Sequence, residues 1–500
     1  MRHVVLGAGV ALFAMGCAVG PNYKRPSAPV PSAFKELVPS PTPTAGEGEW
    51  KPAQPRDTGL RGNWWEVFGD PELNALEEQV NVSNQNVARA EALFRGARAA
   101  ARGARADLFP TIGAGASATR SNAPERSGAP PGTATRYELS ADLSWELDVF
   151  GRVRRNVESN VEAAQGSAAD LEAVRLALHA ELAVDYFLLH GLDAQKQLLD
   201  SNVAAYQTAL QLTVNRFNQG VVSGVDVAQA QTQLETTRAQ ATDLSITRSQ
   251  LEHAIAILVG KAPAEVTIAS APITVTPPSI PVALPAELLE RRPDIAASER
   301  RVAAANAQIG VAVAGFFPRL LLAASGGYGS STLTKFFSLP HRFWSLGASL
   351  AETLLDGGKR TSAKAQAEAS YDAAVATYRE SVLTACQDVE DSLAALRILE
   401  LEATQLADAV AAAERSLAIA RNRYNGGVTT YLEVITAQSA ALANERAAVD
   451  ILTRRMTASV NLVEALGGGW SASDLPNGFE ILSAHGAASG AGPHAERQRP

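Results

Sequence analysis

Seven histidines, two cysteines and 52 acidic residues supply the raw material for catalysis or metal binding, but not its spacing. His179, His190, His253 and His341 never stand three or four positions apart, the separation that sets two imidazoles on one helix face around a metal. The chain has neither a phosphate-binding loop nor a nucleophile elbow, and its glycine runs near Gly357 and Gly467 lack the strand–turn–helix setting of a dinucleotide site. No catalytic residue, metal or other cofactor is expected, and the chain does not read as an enzyme.

The carboxylates have a different pattern. In YELSADLSWELD (Tyr137 to Asp148), Glu138, Asp142, Glu146 and Asp148 alternate with Leu139, Ala141, Leu143, Trp145 and Leu147. A period of two gives a strand one apolar and one acidic face. Such a strand covers a core in water or, in a membrane barrel, turns its apolar side to lipid and its acids to a water-lined lumen. Arg95, Arg98, Arg102 and Arg105 share one helix face, expected to be solvated rather than to line a channel. With a net charge of −8 and interspersed signs, the chain is not expected to bind nucleic acid.

The N-terminus reads as a signal peptide over residues 1–16, with an apolar run from Val4 to Met15. Cys17, behind Gly16, sits where a lipoprotein is cleaved and acylated. The preceding Ala14-Met15 is atypical, so an ordinary signal cleaved near Cys17 is the alternative. Cys386 lies in a helical pattern and reads as a small buried hydrophobe. No apolar run after the signal is long enough for a transmembrane helix, so any crossing must use strands.

These residues must be held by a duplicated framework. NRFNQGVVSGVDVAQAQ (Asn215 to Gln231) recurs 207 positions on as NRYNGGVTTYLEVITAQ (Asn422 to Gln438), with Gly220 and Gly427 at matching points between long amphipathic stretches. This is the signature of two helical hairpin tips. Each copy reads helix, strand, loop, strand, long helix, tip, helix. The first helices end at Phe109-Pro110 and Phe317-Pro318, where proline forces an extended chain. Strands are expected at about 109–120, 136–149, 317–330 and 342–355. Phe336 and Phe337, in the second inter-strand loop, suit a lipid interface or plain loop packing. A helix from Gly151 to Asn215 would be about 95 Å long. The returning helices carry Leu234, Ala241 and Ile255, and again Ala441, Ala448 and Leu462, at coiled-coil spacing. Arg248 and Arg455 fall in those columns and are expected to snorkel or to pair between helices rather than to contact a ligand.

The expected segments are a strap over residues 17–62, a first repeat over 63–261, a Pro-rich linker over 262–292, a second repeat over 293–468 and a flexible tail over 469–500. Strap, linker and tail show no hydrophobic pattern that predicts packing. Four strands cannot close a barrel in lipid, so the chain must oligomerise.

CAVGPNYKRP (Cys17 to Pro26), NWWEVFGDPELN (Asn63 to Asn74), SWELDVFGRVRR (Ser144 to Arg155), the stretch Glu290 to Pro318, LLDGGKR (Leu354 to Arg360) and both tips together resemble the TolC-like outer membrane factors, specifically the NodT-type efflux lipoproteins. The resemblance covers the chain from Cys17 to about Gly468. It implies a mainly α fold with membrane β: a homotrimeric, 12-stranded β-barrel continued by a periplasmic α-helical barrel. It also implies a cell outer membrane location and work with a periplasmic adaptor and an inner membrane pump of RND type. The family's tip motif carries over onto Arg216, Gly220, Ser223 and Asp226, and onto Arg423, Gly427, Thr430 and Glu433, as adaptor-docking residues. At the periplasmic gate Thr436 stands where relatives often have Asp, so a constriction from Leu432 with Glu433 is expected. The function implied is a passive exit duct for small toxic compounds. The alternatives are a duct for type I polypeptide secretion or a periplasmic coiled-coil adaptor, which would need a compact β-rich segment between its helical arms.

Overall fold

The computed structural model describes residues 18–37, 62–123, 132–280 and 285–483. Cys17 and the expected signal peptide lie outside them. The elements run α1 (Pro71–Ser83), α2 (Gln85–Ala106), β1 (Thr111–Ala123), β2 (Gly132–Leu147), α3 (Arg152–Asn218), α4 (Gly224–Leu258), α5 (Pro293–Ala314), β3 (Arg319–Ser330), β4 (Arg342–Ala351), α6 (Lys359–Asn425), α7 (Tyr431–Ala465) and α8 (Gly478–Leu482). The duplication is structural: α3 and α6 are both 67 residues long, and α4 and α7 both 35. At 1.5 Å per residue the long helices extend about 100 Å and their returning partners about 50 Å.

One corner starts both long helices. Asp148 accepts from the backbone N–H groups of Val153 and Arg154, at 2.9 and 2.8 Å, and from the Arg154 guanidinium. Asp356 does the same for Gly358, Arg360 and the Arg360 guanidinium. Each places a negative charge on a helix N-terminus. Asp148 therefore lies one residue past β2, a correction to its expected place among the strand acids.

Lower down, α5 lies against both α3 and α6, and α3 also packs on α2 and α7. Small side chains permit this: Ala164, Ala169, Ala183, Ala307 and Ala385 are fully buried. At Gly191 a Cβ would sit 2.3 Å from Thr453 Oγ1, so only glycine lets α3 and α7 meet there. Of the expected columns, Leu234, Ala241, Ile255, Ala441 and Leu462 are buried and Ala448 is half-buried. Arg248 interrupts the first and donates to Asp193 at 2.7 Å and to the Ile268 carbonyl at 2.8 Å, the expected pairing between helices.

The four strands form one antiparallel sheet in the order β1-β2-β3-β4. Residues opposite one another share a face. Ile112, Leu143, Ala324 and Leu346 form one apolar row, while Gly113, Asp142, Ser325 and Ser345 form a polar row beside it. Trp344, Leu346 and Leu350 are each more than two-thirds exposed, a face that water would not favour. Among the described residues β1 and β4 each keep one edge unpaired. Among the described residues no helix is long and apolar enough to cross a membrane.

Three segments without an apolar pattern nonetheless pack. Within the strap, Val19 N–H donates to the Phe150 carbonyl at 3.1 Å and Arg155 reaches Asn22 at 2.8 Å. The Tyr23 hydroxyl bonds to Glu299, and Phe34 is buried against Leu288, Ile295 and Tyr378. In the linker Ile268 is buried, and Asp193 accepts from Ser270 and the Ala271 N–H. After Gly468 the chain packs on the helices: Ile481 is fully buried beside Ala101 and Ala164, and Arg98 donates to the Glu480 and Ser483 carbonyls. Arg98 is thus buried rather than solvated, and residues 469–483 are not a flexible tail. In all three, isolated large side chains and buried polar anchors do what a hydrophobic period does elsewhere.

Candidate functional site

Two places carry the expected functional residues, the sheet and the two hairpin tips. On the sheet, Glu138, Asp142 and Glu146 follow one face of β2. Glu138 pairs with Arg136 at 2.9 Å, and Glu146 takes both arms of Arg152 at 2.8 and 2.9 Å. Asp142 accepts from Ser140 at 2.8 Å and from Ser325, on the neighbouring strand, at 2.6 Å. Carboxylates so engaged make a polar wall on that face of β2. The opposite face carries Leu139, Ala141, Leu143 and Trp145. In the connection between β3 and β4 the Phe337 ring lies 5.5 Å from that of Tyr328.

At the tips, Gly220 and Gly427 have φ of 74° and 72°, the left-handed region that glycine enters without strain. Val221 N–H returns to the Arg216 carbonyl and Val428 N–H to that of Arg423, both at 2.9 Å, closing the helix ends. A Cβ at either glycine would meet nothing within 4 Å, so both tips stand open. Val221, Val225 and Val428 are each more than 60% exposed, an apolar end on a polar helix pair.

Past the turn the copies diverge. Asp226 accepts from the Ser223 N–H and hydroxyl, both at 3.0 Å, and so serves its own helix. Thr430 makes no side-chain cap, and Glu433 instead reaches Arg423 at 3.3 Å. Leu432 is 56% exposed, and the Thr436 hydroxyl donates to the Leu432 carbonyl at 2.9 Å, leaving no charge where an Asp would place one. The residues expected to dock an adaptor thus gather at two ends, with Leu432, Glu433 and Thr436 on the first turns of α7.

Sequence reasoning missed the link between the tips. Arg216 lies over the Tyr424 ring, 4.7 Å from its centre, and donates to the carbonyls of Tyr424 and Asn425. It missed two buried histidines as well. His179 stacks on Trp65, and its Nδ1 lies 2.6 Å from Glu77, a contact that needs one shared proton. Burial holds His179 down to about 4 and drives Glu77 upward. The signal was present, since Glu77 occupies the apolar face between Leu73 and Val80. His190 bonds to the Ala271 carbonyl at 2.7 Å beside Asp193. Burial raises Asp193, but hydrogen bonds from His190, Arg248 and Ser270 outweigh it and bring it to about 2. These groups fasten α1 and the linker to α3.

The family model described as outer membrane efflux protein matches residues 76–261 and 284–468, one block per copy. The chain belongs to the outer membrane efflux protein family. It is 31% identical over 478 residues to outer membrane protein OprJ of Pseudomonas aeruginosa, covering 94% of this chain and 97% of that one. It is 30% identical over 474 residues to the toluene efflux pump outer membrane protein TtgF of Pseudomonas putida, covering 94% and 98%. Its fold superposes on the outer-membrane channel OprN with a TM-score of 0.82 at 31% identity, covering 91% of this chain and all of the other. As an outer membrane efflux protein the chain is a channel component placed in the outer membrane, its long helices extending into the periplasm. Family members are channel proteins rather than enzymes.

Proposed function

We propose that this protein is the passive exit duct of a tripartite efflux system for small toxic compounds. One observation carries the reading: a four-stranded sheet with an apolar outer face and two unpaired edges stands on a pair of helices about 100 Å long. Unpaired edges are not tolerated in lipid. Three chains joining β4 to β1 remove every edge and give a closed barrel of about twelve strands. The helices of the three chains then prolong that barrel across the periplasm.

Within this duct Glu138, Asp142 and Glu146 line the lumen and favour cations. Leu432 narrows the periplasmic end, with Glu433 and Thr436 beside it. Arg216, Gly220, Ser223, Asp226, Arg423, Gly427, Thr430 and Glu433 receive a periplasmic adaptor attached to an inner membrane pump of RND type. Acylated Cys17 anchors the chain in outer membrane lipid; Ala18, its neighbour, lies against Gly151 at the junction of sheet and helix. That TtgF is named for toluene efflux supports small apolar cargo. The test is dye efflux in the host strain with this gene deleted and then restored. Deletion should raise intracellular dye to the level of a pump knockout, and unchanged efflux would overturn the proposal.

A further inference from the structure

Away from both the sheet and the tips, the start of α1, the middle of α3 and the linker at residues 271–275 enclose a cavity of about 210 Å³. Pockets for drug-sized ligands run to roughly 300–1,000 Å³, so this one suits something smaller than an antibiotic. Asp70, Glu72 and His190 stand in its wall. Among the described residues no lysine or arginine pairs with either carboxylate: Asp70 accepts from two N–H groups of α1 and from the Tyr186 hydroxyl, and Glu72 accepts from nothing.

The rest of the wall is equally short of donors. His190 is only 4% exposed, and its Nδ1 lies 2.7 Å from the Ala271 carbonyl. That contact puts the proton of the neutral ring on Nδ1 and leaves a lone pair on Nε2, which has no partner. A buried polar atom without a partner is costly, and this one calls for a donor. Among the described residues the backbone of Pro272, Ile273, Thr274 and Val275 makes no hydrogen bond, so their carbonyls are open acceptors as well.

Two other occupants fit less well. A helix N-terminus attracts anions, but here the Glu72 and Leu73 N–H groups are spent on the Asp70 carboxylate, that of Asn74 on the Asp70 carbonyl, and Pro71 has none. A bare metal ion lacks ligands, since no group of three or more His, Cys, Asp or Glu among the described residues is arranged to hold one. It would also leave Phe187, Ile273 and Val275, in the same wall, without a role. We propose that the cavity binds a small alkylammonium ion, which donates to Glu72, Asp70 and His190 Nε2 and lays its alkyl body against Phe187, Ile273 and Val275. Such a ligand braces α1 and the linker against α3. The site works whether or not the duct conducts, so its test is independent of the function proposed above.

Titration calorimetry of the full-length protein in detergent, with n-pentylamine as the probe and empty micelles as the blank, tests this. Pentylammonium should bind, while n-pentanol and pentanoate, of the same length but neutral and negative, should not. Glu72→Gln and Asp70→Asn should each weaken binding about tenfold, the loss of one charge-assisted hydrogen bond. Both variants should fold, since Glu72 is exposed and asparagine caps a helix as well as aspartate does. Glu78→Gln, at an exposed acid further along α1, should leave the affinity unchanged. No heat beyond that of the micelles, pentanol binding as tightly as the amine, or full affinity in both Glu72→Gln and Asp70→Asn would overturn the proposal. Displacement of the amine by equimolar magnesium would assign the site to a metal and overturn it too.

Discussion

The Arg216 guanidinium lies 4.7 Å from the centre of the Tyr424 ring and donates to the Tyr424 and Asn425 carbonyls at 3.3 and 3.4 Å. One side chain thereby binds the end of the first hairpin to the end of the second. A planar, permanently charged group is suited to stacking and donating together, which a lysine ammonium cannot do.

Replacing Arg216 with alanine should loosen the tips at a cost of about 1–3 kcal/mol. The expected outcome is a larger resting conductance and greater sensitivity to large antibiotics, with the trimer intact on an unheated gel. Arg216→Lys should recover only part of the closure. Tyr424→Phe should behave as wild type, because the Tyr424 hydroxyl has no hydrogen-bond partner among the described residues.

Gly220→Val with Gly427→Val forces two β-branched residues into the left-handed region, costing about 1–2 kcal/mol each. No neighbour would clash, so the effect stays local. Efflux should fall while trimer yield and heat stability of the barrel remain unchanged. A double variant that effluxes normally would remove the docking role of the tips.

Ile481 is fully buried between α2 and α3, so Ile481→Ala should lower stability by about 2–4 kcal/mol. Deletion after Gly468 should lower the thermal midpoint further, because it also strips Arg98 of its carbonyl partners. Unchanged midpoints in both would mean that α8 contributes nothing to the packing.

Burial raises Glu464 to about 7, with the Arg292 guanidinium opposing it. A carboxyl raised above its unfolded value favours folding in its protonated form. Its contribution is complete below the ordinary carboxylate range, near pH 4.5, and is lost as pH rises through about 7. Glu464→Gln should therefore raise the thermal midpoint at pH 8 and leave it nearly unchanged at pH 4.

The helical framework was legible because its periodicity is unbroken. The duplicated tips, the Phe-Pro helix ends and the buried columns from Leu234 to Leu462 follow from local rules that tertiary context does not override. The strands were placed, but their ends were not, since Asp148 serves a helix start and looks in sequence like further alternation. The strap, linker and tail were misread for another reason. Phe34, Ile268 and Ile481 are single buried side chains without a period, and Arg155, Asp193 and Arg98 anchor them through backbone groups. Within the candidate site the tip residues were found by duplication. The crossing from Arg216 to Tyr424 was not, because it links positions 208 apart that no pattern joins.

The most direct measurement is the single-channel current of trimers extracted from outer membranes and inserted into planar bilayers. Discrete steps that carry cations in preference to anions, with preference reduced by Asp142→Asn, are the expected result. Trimers that insert but pass no current, or a channel that prefers anions, would contradict a duct lined by the acidic face of β2.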